Sequence, residues 1–406
     1  MRGVGRGWTW AAGVVGVSAA VVIPVLGVVA ARTLGDSTSG TLDSTGVASV
    51  APTAETPGAL LVATDGSEVV GLTVLALSPS GAGGTVVVVP AGSVASVDGI
   101  DHPTRLAAAF GQGGMDAQVT ATEGMLGVTF SASQQVDEAG MRALFEPLAP
   151  IPVDLPDAVD RPATATAPAV QLPAGPQELT AEQAAAALFA RTPNESEIVR
   201  LPTHLAVWNG VVSASRRVAK AASDGVPQDV AGFLAAIGAG PNTAVSPTVS
   251  PLLDTVSNPD GVDLLQLDSV DLRILMARLL PTAASPTGSG LRVRLSNHSG
   301  DPTALRDAAA RLQFVGATVV AIDDTPAPPA KETAVRYDQS LNADQLTVLN
   351  PAVGEVAATP AAERIDGVDV SVDLGQDFVT FLATAAEEAS GAVPTSNGVA
   401  SSTSGG

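Results

Sequence analysis

Hydrophobic positions along the chain begin with one continuous run. The segment from Trp8 to Ala31 carries no charged side chain and is long enough to cross the hydrocarbon core of a bilayer as a helix. Arg2 and Arg6 precede it and Asp36 follows it, so the positive-inside rule predicts a cytoplasmic N-terminus with the bulk of the chain outside. Residues 1–35 are therefore predicted to form a cytoplasmic N-terminus and a single-pass transmembrane anchor.

A cleaved signal peptide is the alternative for this segment. The apolar part of a signal peptide is only about 7–15 residues long and ends at a small-residue cleavage site. Ala30 and Ala31 resemble such a site, but the run is longer, so the sequence favours an uncleaved anchor. Residues 36–57 are rich in Ser, Thr, Gly and Pro and lack hydrophobic periodicity, which predicts a stalk.

Between residues 58 and 282, short apolar runs alternate with helical patterns. Three runs predict buried strands, and five segments have apolar residues at helical spacing. The predicted strands are 60–63, 72–77 and 85–89, and the predicted helices are 104–110, 119–126, 138–148, 180–190 and 205–222. Thr180 and Gln183 have the spacing of a capping box. This alternation predicts an α/β/α sandwich around a central sheet.

A second pattern of the same kind follows a break in the sequence. Residues 283–290 are rich in Ser, Pro, Thr and Gly and predict a linker. Residues 291–379 predict a second, small α/β domain, and residues 380–406 a largely disordered tail. In this second domain the predicted strands are 291–295, 317–322, 333–337 and 368–374, and the predicted helices are 303–314 and 343–349.

Composition excludes several classes of site. The chain has no cysteine, so disulfides and thiolate metal sites are absent. His102, His204 and His298 lie far apart in sequence, a spacing that does not favour a zinc site. The net charge of −21 argues against nucleic acid as a partner, and a phosphate-bearing ligand would have to meet a local cluster of arginines.

Several segments occur in an order that is typical of one family. Residues 105–114 read RLAAAFGQGG, residues 172–191 read LPAGPQELTAEQAAAALFAR, and residues 197–204 read EIVRLPTH. In order and spacing they resemble the motifs of the LytR-CpsA-Psr family, membrane-anchored extracytoplasmic proteins of Gram-positive and actinobacterial envelopes. Residues 293–300 (VRLSNHSG) and 370–377 (VSVDLGQD) are similar to the LytR C-terminal domain often attached to such proteins. In that domain Asn297, His298 and Asp377 are interpreted as turn residues.

The resemblance implies an activity and also shows what is missing from it. Enzymes of the family are thought to transfer a glycopolymer phosphate from a polyprenyl pyrophosphate carrier to peptidoglycan, using arginines, acidic residues and a divalent metal. Where the family has Pro-Arg-Asp at the end of a strand, this chain has Pro90-Ala91-Gly92, and where the family has Arg-Gln it has Thr203-His204. The resemblance therefore implies a family fold that is diverged in its catalytic motifs.

Three arginines remain as candidates for binding phosphate: Arg105, Arg191 and Arg200. No catalytic residue and no metal site is assigned, since Mg²⁺ usually takes at least one or two carboxylate ligands and no acidic cluster is evident. Asp98 and Asp101 could approach from the loop after Pro90, but Asp in a glycine-containing loop is more typical of a turn. For Arg191 and Arg200 the alternative is an ordinary solvated or ion-paired role on a helix.

Three functions follow from these observations. The favoured hypothesis is a catalytically degenerate envelope protein that acts by binding or regulation in cell-wall assembly, with a polyprenyl-linked glycopolymer, peptidoglycan or a wall-assembly protein as its partner. The second is an active phosphotransferase, the only one that requires Mg²⁺. The third is a scaffold whose C-terminal domain binds while the first domain is a spacer. An apolar cavity for a lipid tail is also considered, although a packed core explains the many Leu, Val and Ala residues more simply.

Overall fold

A computed structural model describes residues 49–51, 53–163, 169–191, 195–221, 225–253, 263–285 and 290–391. The predicted anchor at 8–31, most of the predicted stalk and residues 392–406 of the predicted tail lie outside these ranges. Within them, no helix combines the length and the apolar character needed to cross a membrane.

Strands and helices of the described residues are numbered in chain order. The strands are β1 (Ser49–Ala51), β2 (Gly58–Asp65), β3 (Glu68–Leu77), β4 (Gly84–Val89), β5 (Val94–Ala95), β6 (Thr104–Arg105), β7 (Ala132–Val136), β8 (Ile151–Leu155), β9 (Val159–Arg161), β10 (Val170–Leu172), β11 (Gly175–Leu179), β12 (Asn242–Val245), β13 (Val249–Pro251), β14 (Leu265–Leu267), β15 (Arg292–Asn297), β16 (Thr318–Asp323), β17 (Ala334–Tyr337), β18 (Ala358–Pro360), β19 (Glu363–Ile365) and β20 (Val370–Leu374). The helices are α1 (Ala108–Leu126), α2 (Glu138–Phe145), α3 (Ala181–Phe189), α4 (Glu197–Ala214), α5 (Val230–Gly238), α6 (Ser269–Leu279), α7 (Ala304–Phe314), α8 (Ala343–Leu346), α9 (Asn350–Val353) and α10 (Gln376–Gly391).

The first half of the chain is built on a five-stranded mixed sheet with the order β12-β4-β3-β2-β7. Strands β2, β3 and β4 run antiparallel to their neighbours in this trio, while β7 and β12 add in parallel at the two edges. The turn between β2 and β3 is the two-residue loop Gly66-Ser67, a typical hairpin sequence, and Gly66 has φ +61°. The hairpin brings Asp65 and Glu68 opposite each other.

Both faces of this sheet are covered by helices. On one face, residues such as Leu61 and Val86 pack against α2, α3, α4 and α5, where Phe145 and Trp208 meet edge to face with ring centroids 5.7 Å apart. On the other face, residues such as Leu60 pack against α1 and α6. The structure therefore has the predicted mixed α/β architecture, and the apolar strands form packed core.

The second half of the chain forms a separate sheet with the order β16-β15-β20-β17-β18. Strand β15 is parallel to both of its neighbours, and helix α7 connects it to β16. The apolar side chains of the sheet, among them Val293 and Val372, pack with residues of α7, α9 and α10. Asn297 organises the turn after β15, where its Oδ1 accepts a hydrogen bond from the Ser299 amide at 3.1 Å. Asp377 instead lies in the first turn of α10 and accepts from the Thr333 amide at 2.8 Å.

Helix α6 takes part in the packing of both halves. Its Leu272 and Met276 belong to the core of the first sheet, whereas Ile274 and Ala277 belong to the core of the second. Arg306 of α7 adds polar contacts, with its Nη2 2.6 Å from Asp268 and its Nε 2.9 Å from Asp271. The two sheets are thus joined through one shared helix.

Three predicted elements differ from the structure. Thr104–Arg105 forms β6 and not the start of a helix, because its backbone pairs with β5. Helix α4 starts at Glu197, before the predicted start at residue 205, because Pro202 is accommodated inside it at the loss of one main-chain hydrogen bond. Helix α10 continues to Gly391, so residues 380–391 are not disordered; Phe381 and Leu382 pack against the second core.

Candidate functional site

One end of the first sheet gathers charged residues from distant parts of the chain. The hairpin turn between β2 and β3 lies there, and β4 ends beside it because β4 runs antiparallel to β3. Helix α3 ends and helix α4 begins at the same place. The charged residues are the three arginines Arg105, Arg191 and Arg200 and the three carboxylates Asp65, Glu68 and Glu197, which we call the arginine cluster.

Arg191 is held by the hairpin turn. Its Nη1 lies 2.7 Å from Oε1 of Glu68, its Nη2 lies 2.9 Å from Oε2 of Glu68, and Nη2 is 3.5 Å from Oδ2 of Asp65. Nη1 of Arg105 is 4.0 Å from Oε1 of Glu68. The hydrogen bonds with Arg191 hold the pKa of Glu68 below its ordinary value and raise the pKa of Arg191.

Glu197 is a buried carboxylate in the first turn of α4. Its Oε1 accepts a hydrogen bond from the Ala91 amide at 2.7 Å, and its Oε2 accepts one from the Gly92 amide at 2.6 Å. Burial raises the pKa of Glu197, while these two bonds and the nearby Arg200 and Arg105 act in the opposite direction. Glu197 therefore ties the loop after β4 to the start of α4.

Position 92 leaves little room for a side chain. A Cβ atom there would lie 3.0 Å from Oε2 of Glu197 and 3.1 Å from the carbonyl oxygen of Asp263. The carboxylate of Asp263 in turn accepts from the Glu197 amide at 2.8 Å and from the Ser196 hydroxyl at 2.7 Å. The place where the family resemblance puts an aspartate is thus filled by the Glu197 carboxylate and its surroundings.

Arg200 and His204 lie one turn apart on α4. Burial lowers the pKa of Arg200, whose Nη1 donates to the Ala190 carbonyl at 3.3 Å. His204 hydrogen-bonds the Leu188 backbone, and burial lowers its pKa to about 3, so it is neutral at pH 7. The Nε atoms of Arg105 and Arg200 and Nε2 of His204 are buried without a hydrogen-bond partner among the described residues.

One cavity is lined by residues of this cluster, and a second lies beside the strand pair β5–β6. A cavity of about 240 Å³ is lined by Arg191, Arg200 and Thr203, and its other charged lining residues are Asp157, Asp160 and Glu195. A second cavity of about 470 Å³ lies between the segment 94–98 and α1 and is lined largely by small apolar residues. Because β5 lines it and pairs with β6, this cavity begins at the strand pair that carries Arg105.

The structure brings together the three arginines singled out from the sequence. Arg191 lies just after the end of α3 and is ion-paired with Glu68, and its role in binding phosphate stays a prediction. Asp98 lines the second cavity and Asp101 is exposed in the same loop, so neither joins the carboxylates of the cluster. Glu197 was not singled out, although it is the first residue of the segment EIVRLPTH. The hairpin signal Gly66-Ser67 would have placed Asp65 and Glu68 opposite each other.

The carboxylates do not fit a magnesium site. Mg²⁺ is usually bound through one or two carboxylates and keeps several of its waters. Both oxygens of Glu197 accept hydrogen bonds from backbone amides, and both oxygens of Glu68 accept hydrogen bonds from the guanidinium group of Arg191. A divalent cation on these oxygens would compete with those donors and would lie beside three arginines, whose positive charge opposes its binding. Within the described part of the chain, no group of three or more His, Cys, Asp or Glu side chains is arranged to hold a metal.

Comparison with known proteins identifies the family. The model of the LytR_cpsA_psr family matches residues 72–220, and the model described as LytR cell envelope-related transcriptional attenuator matches residues 290–378. The chain belongs to the LytR-CpsA-Psr family and carries a LytR C-terminal domain. No curated protein matches the sequence.

Several solved structures are similar to part of the chain. TagV from B. subtilis is 17% identical over 54% of this chain and 93% of its own, with a TM-score of 0.40. A LytR-Csp2A-Psr enzyme from Actinomyces oris is 20% identical over 55% and 90%, with a TM-score of 0.38. B. subtilis TagT, in a structure of TagT bound to LIIa-WTA, is 14% identical over 57% and 94%, with a TM-score of 0.39.

Proposed function

We propose that this protein binds a phosphate-bearing, lipid-linked glycopolymer in cell-wall assembly and does not transfer it. In this proposal the N-terminal segment holds the protein at the outer face of the cell membrane, with the N-terminus in the cytoplasm. Membership of the LytR-CpsA-Psr family supports the cell-wall setting. The uncharged run from Trp8 to Ala31 supports the anchor.

One observation carries the choice of binding over catalysis, namely the engagement of Glu197. Phosphoryl transfer needs a metal or comparable cations to neutralise developing charge, and a metal needs carboxylates to hold it. Here the buried carboxylate holds the backbone of Ala91 and Gly92, where the family resemblance expects an arginine and an aspartate. The arginines remain, but the buried carboxylate beside them, Glu197, has a structural role.

The arginines and the cavities support binding. Guanidinium groups form strong paired hydrogen bonds to phosphate, and Arg191 and Arg200 line the 240 Å³ cavity. The largely apolar cavity of about 470 Å³ that begins beside Arg105 offers a place for an apolar chain. A ligand with a phosphate head and an apolar tail fits this pair of features.

An active transferase is the second candidate. The convergence of three arginines with Glu68 and Glu197 next to an apolar cavity favours it. It would require Glu68 or Glu197 to release its present hydrogen-bond donors for a metal. Binding of the ligand without transfer of its phosphate favours the first proposal, and transfer favours the second.

The test of binding uses the full-length protein in detergent and geranylgeranyl pyrophosphate as the ligand. We expect Arg191→Ala and Arg200→Ala each to weaken binding about tenfold or more, because charge-assisted hydrogen bonds contribute about 1.5–3 kcal/mol. Arg216→Ala is the matched control, since Arg216 is exposed in the 3-10 segment that follows α4. Equal affinity in all four proteins would contradict the proposal.

A further inference from the structure

The hairpin turn between β2 and β3 presents two carboxylates to one arginine of the cluster. Asp65 ends β2, Glu68 begins β3, and the two residues are cross-strand partners. Gly66 supplies the left-handed backbone that such a tight turn requires. The turn is therefore defined by its sequence, and with it the position of both carboxylates near Arg191.

Glu68 occupies Arg191 in the way that a phosphate would. Its two oxygens accept from Nη1 and Nη2 of Arg191 at 2.7 and 2.9 Å, which is the paired geometry of guanidinium with carboxylate or phosphate. Asp65 adds a second negative charge 3.5 Å from Nη2. An anionic ligand that approaches Arg191 must displace these groups.

Exposure distinguishes Glu68 from Glu197. The Glu68 side chain is 49% exposed and that of Asp65 is 65% exposed, whereas Glu197 is 4% exposed and bonded to backbone amides. Exposed ion pairs contribute little free energy and exchange with solvent, so the hairpin carboxylates are replaceable. A monoanion gains nothing by replacing Glu68, but a ligand with several charges also attracts Arg105 and Arg200.

We propose that Glu68, assisted by Asp65, is an internal competitor that sets the selectivity of the arginine cluster for multiply charged phosphates. This inference rests on the proposed function and adds a specificity-determining residue to it. The hairpin carboxylates stay paired with Arg191 in the presence of singly charged anions, and a pyrophosphate group displaces them.

The test measures binding of inorganic pyrophosphate at low salt by titration calorimetry of the full-length protein. We expect Glu68→Gln to bind pyrophosphate about threefold to tenfold more tightly than the wild type, because it removes one opposing charge and keeps the side-chain size. Asp65→Asn is expected to give a smaller gain. Ser67→Ala, at the tip of the same turn, is the control and leaves the affinity unchanged.

Competition for Arg191 predicts a specific double-variant result. In an Arg191→Ala background, Glu68→Gln gives no gain, because the competed group is absent. If the wild type binds pyrophosphate while Glu68→Gln and Asp65→Asn bind equally or more weakly, the inference fails and the proposed function stands. If neither the wild type nor the hairpin variants bind pyrophosphate or geranylgeranyl pyrophosphate, both fail. Should Glu68→Gln not fold, Asp65→Asn alone decides the matter.

Discussion

At the residue scale, the glycine at position 92 and the burial of Glu197 depend on each other. The amide of Gly92 donates to Glu197 at 2.6 Å, and this close approach leaves little room for a side chain at position 92. This glycine is needed for a close approach and not for an unusual φ angle. The glycine at position 92, where the family has an aspartate, is therefore matched by the buried Glu197 on α4.

A substitution at position 92 tests this dependence. We expect Gly92→Ala to lower the free energy of unfolding by about 1–3 kcal/mol, because the new methyl group would lie 3.0 Å from Oε2 of Glu197. Urea denaturation followed by circular dichroism measures the change. Gly111→Ala is the matched control, since a Cβ there meets nothing within 4 Å. An unchanged stability of Gly92→Ala would contradict the packing described around Glu197.

His204 predicts a pH dependence of stability. Its pKa is about 3 in the folded protein and ordinarily 6.5, so below pH 6.5 the unfolded chain binds the proton more readily. The contribution of the neutral His204 to the free energy of unfolding is complete above pH 6.5 and is lost as the pH falls toward 3. Between pH 7 and pH 5 we expect a loss of about 2 kcal/mol in the free energy of unfolding.

The matched variant for this prediction is His204→Asn, which keeps a hydrogen-bond donor near the Leu188 backbone. The variant is expected to be less stable at pH 7, and the measurement is the difference in slope, obtained from urea denaturation at pH 5, 6 and 7. The stability of His204→Asn should fall less with decreasing pH. Parallel pH profiles would show that His204 is not held neutral by burial.

From the sequence, single residues could be proposed for the site only where a local motif points to them. The arginines could be singled out because they fall in segments that resemble the motifs of the family. Glu197 could not, since its role depends on the distance between the loop after β4 and the start of α4. Nothing within either segment reveals that both oxygens accept backbone amides.

At the scale of elements, the local signals were reliable at helix starts. Thr180 and Gln183 form the predicted capping box, with bonds of 2.9 and 3.1 Å at the start of α3. The predicted start of α4 was wrong because Pro202 is a strong local breaker whose cost is offset by packing of the buried face, including Leu201 and Val207. Tertiary contacts of this kind are invisible to periodicity.

Helix α6 provides a prediction at this scale. We expect Ile274→Ala to lower the free energy of unfolding by about 2–4 kcal/mol through the cavity it leaves in the second core. Because Leu272 and Met276 of the same helix pack in the first core, amide exchange should accelerate in both β3 and β20. Hydrogen exchange with mass spectrometry resolves the two strands.

Val348→Ala is the control for this experiment, because Val348 is 44% exposed and its truncation removes little packing. It should leave exchange in both strands close to that of the wild type. Faster exchange confined to β20 in Ile274→Ala would contradict the role of α6 as a helix shared by the two cores.

At the scale of the whole molecule, the resemblance to the family predicted the fold better than it predicted the chemistry of the site. It gave the family, which the comparisons show, and two α/β regions, which the structure contains. The domain boundaries, the anchor at residues 8–31 and the location outside the membrane stay predictions. What the sequence could not give is the arrangement of six charges, because Asp65, Arg105 and Glu197 meet only when the sheet is folded.

The central claim is that this arrangement binds a lipid-linked pyrophosphate without turning it over. The most direct measurement follows labelled geranylgeranyl pyrophosphate on the full-length protein, recording bound ligand and released phosphate in the same samples with and without Mg²⁺. We predict binding that Arg191→Ala weakens, with no release or transfer of phosphate above background in either condition. Mg²⁺-dependent release or transfer that Arg191→Ala abolishes would contradict the account and establish an active transferase.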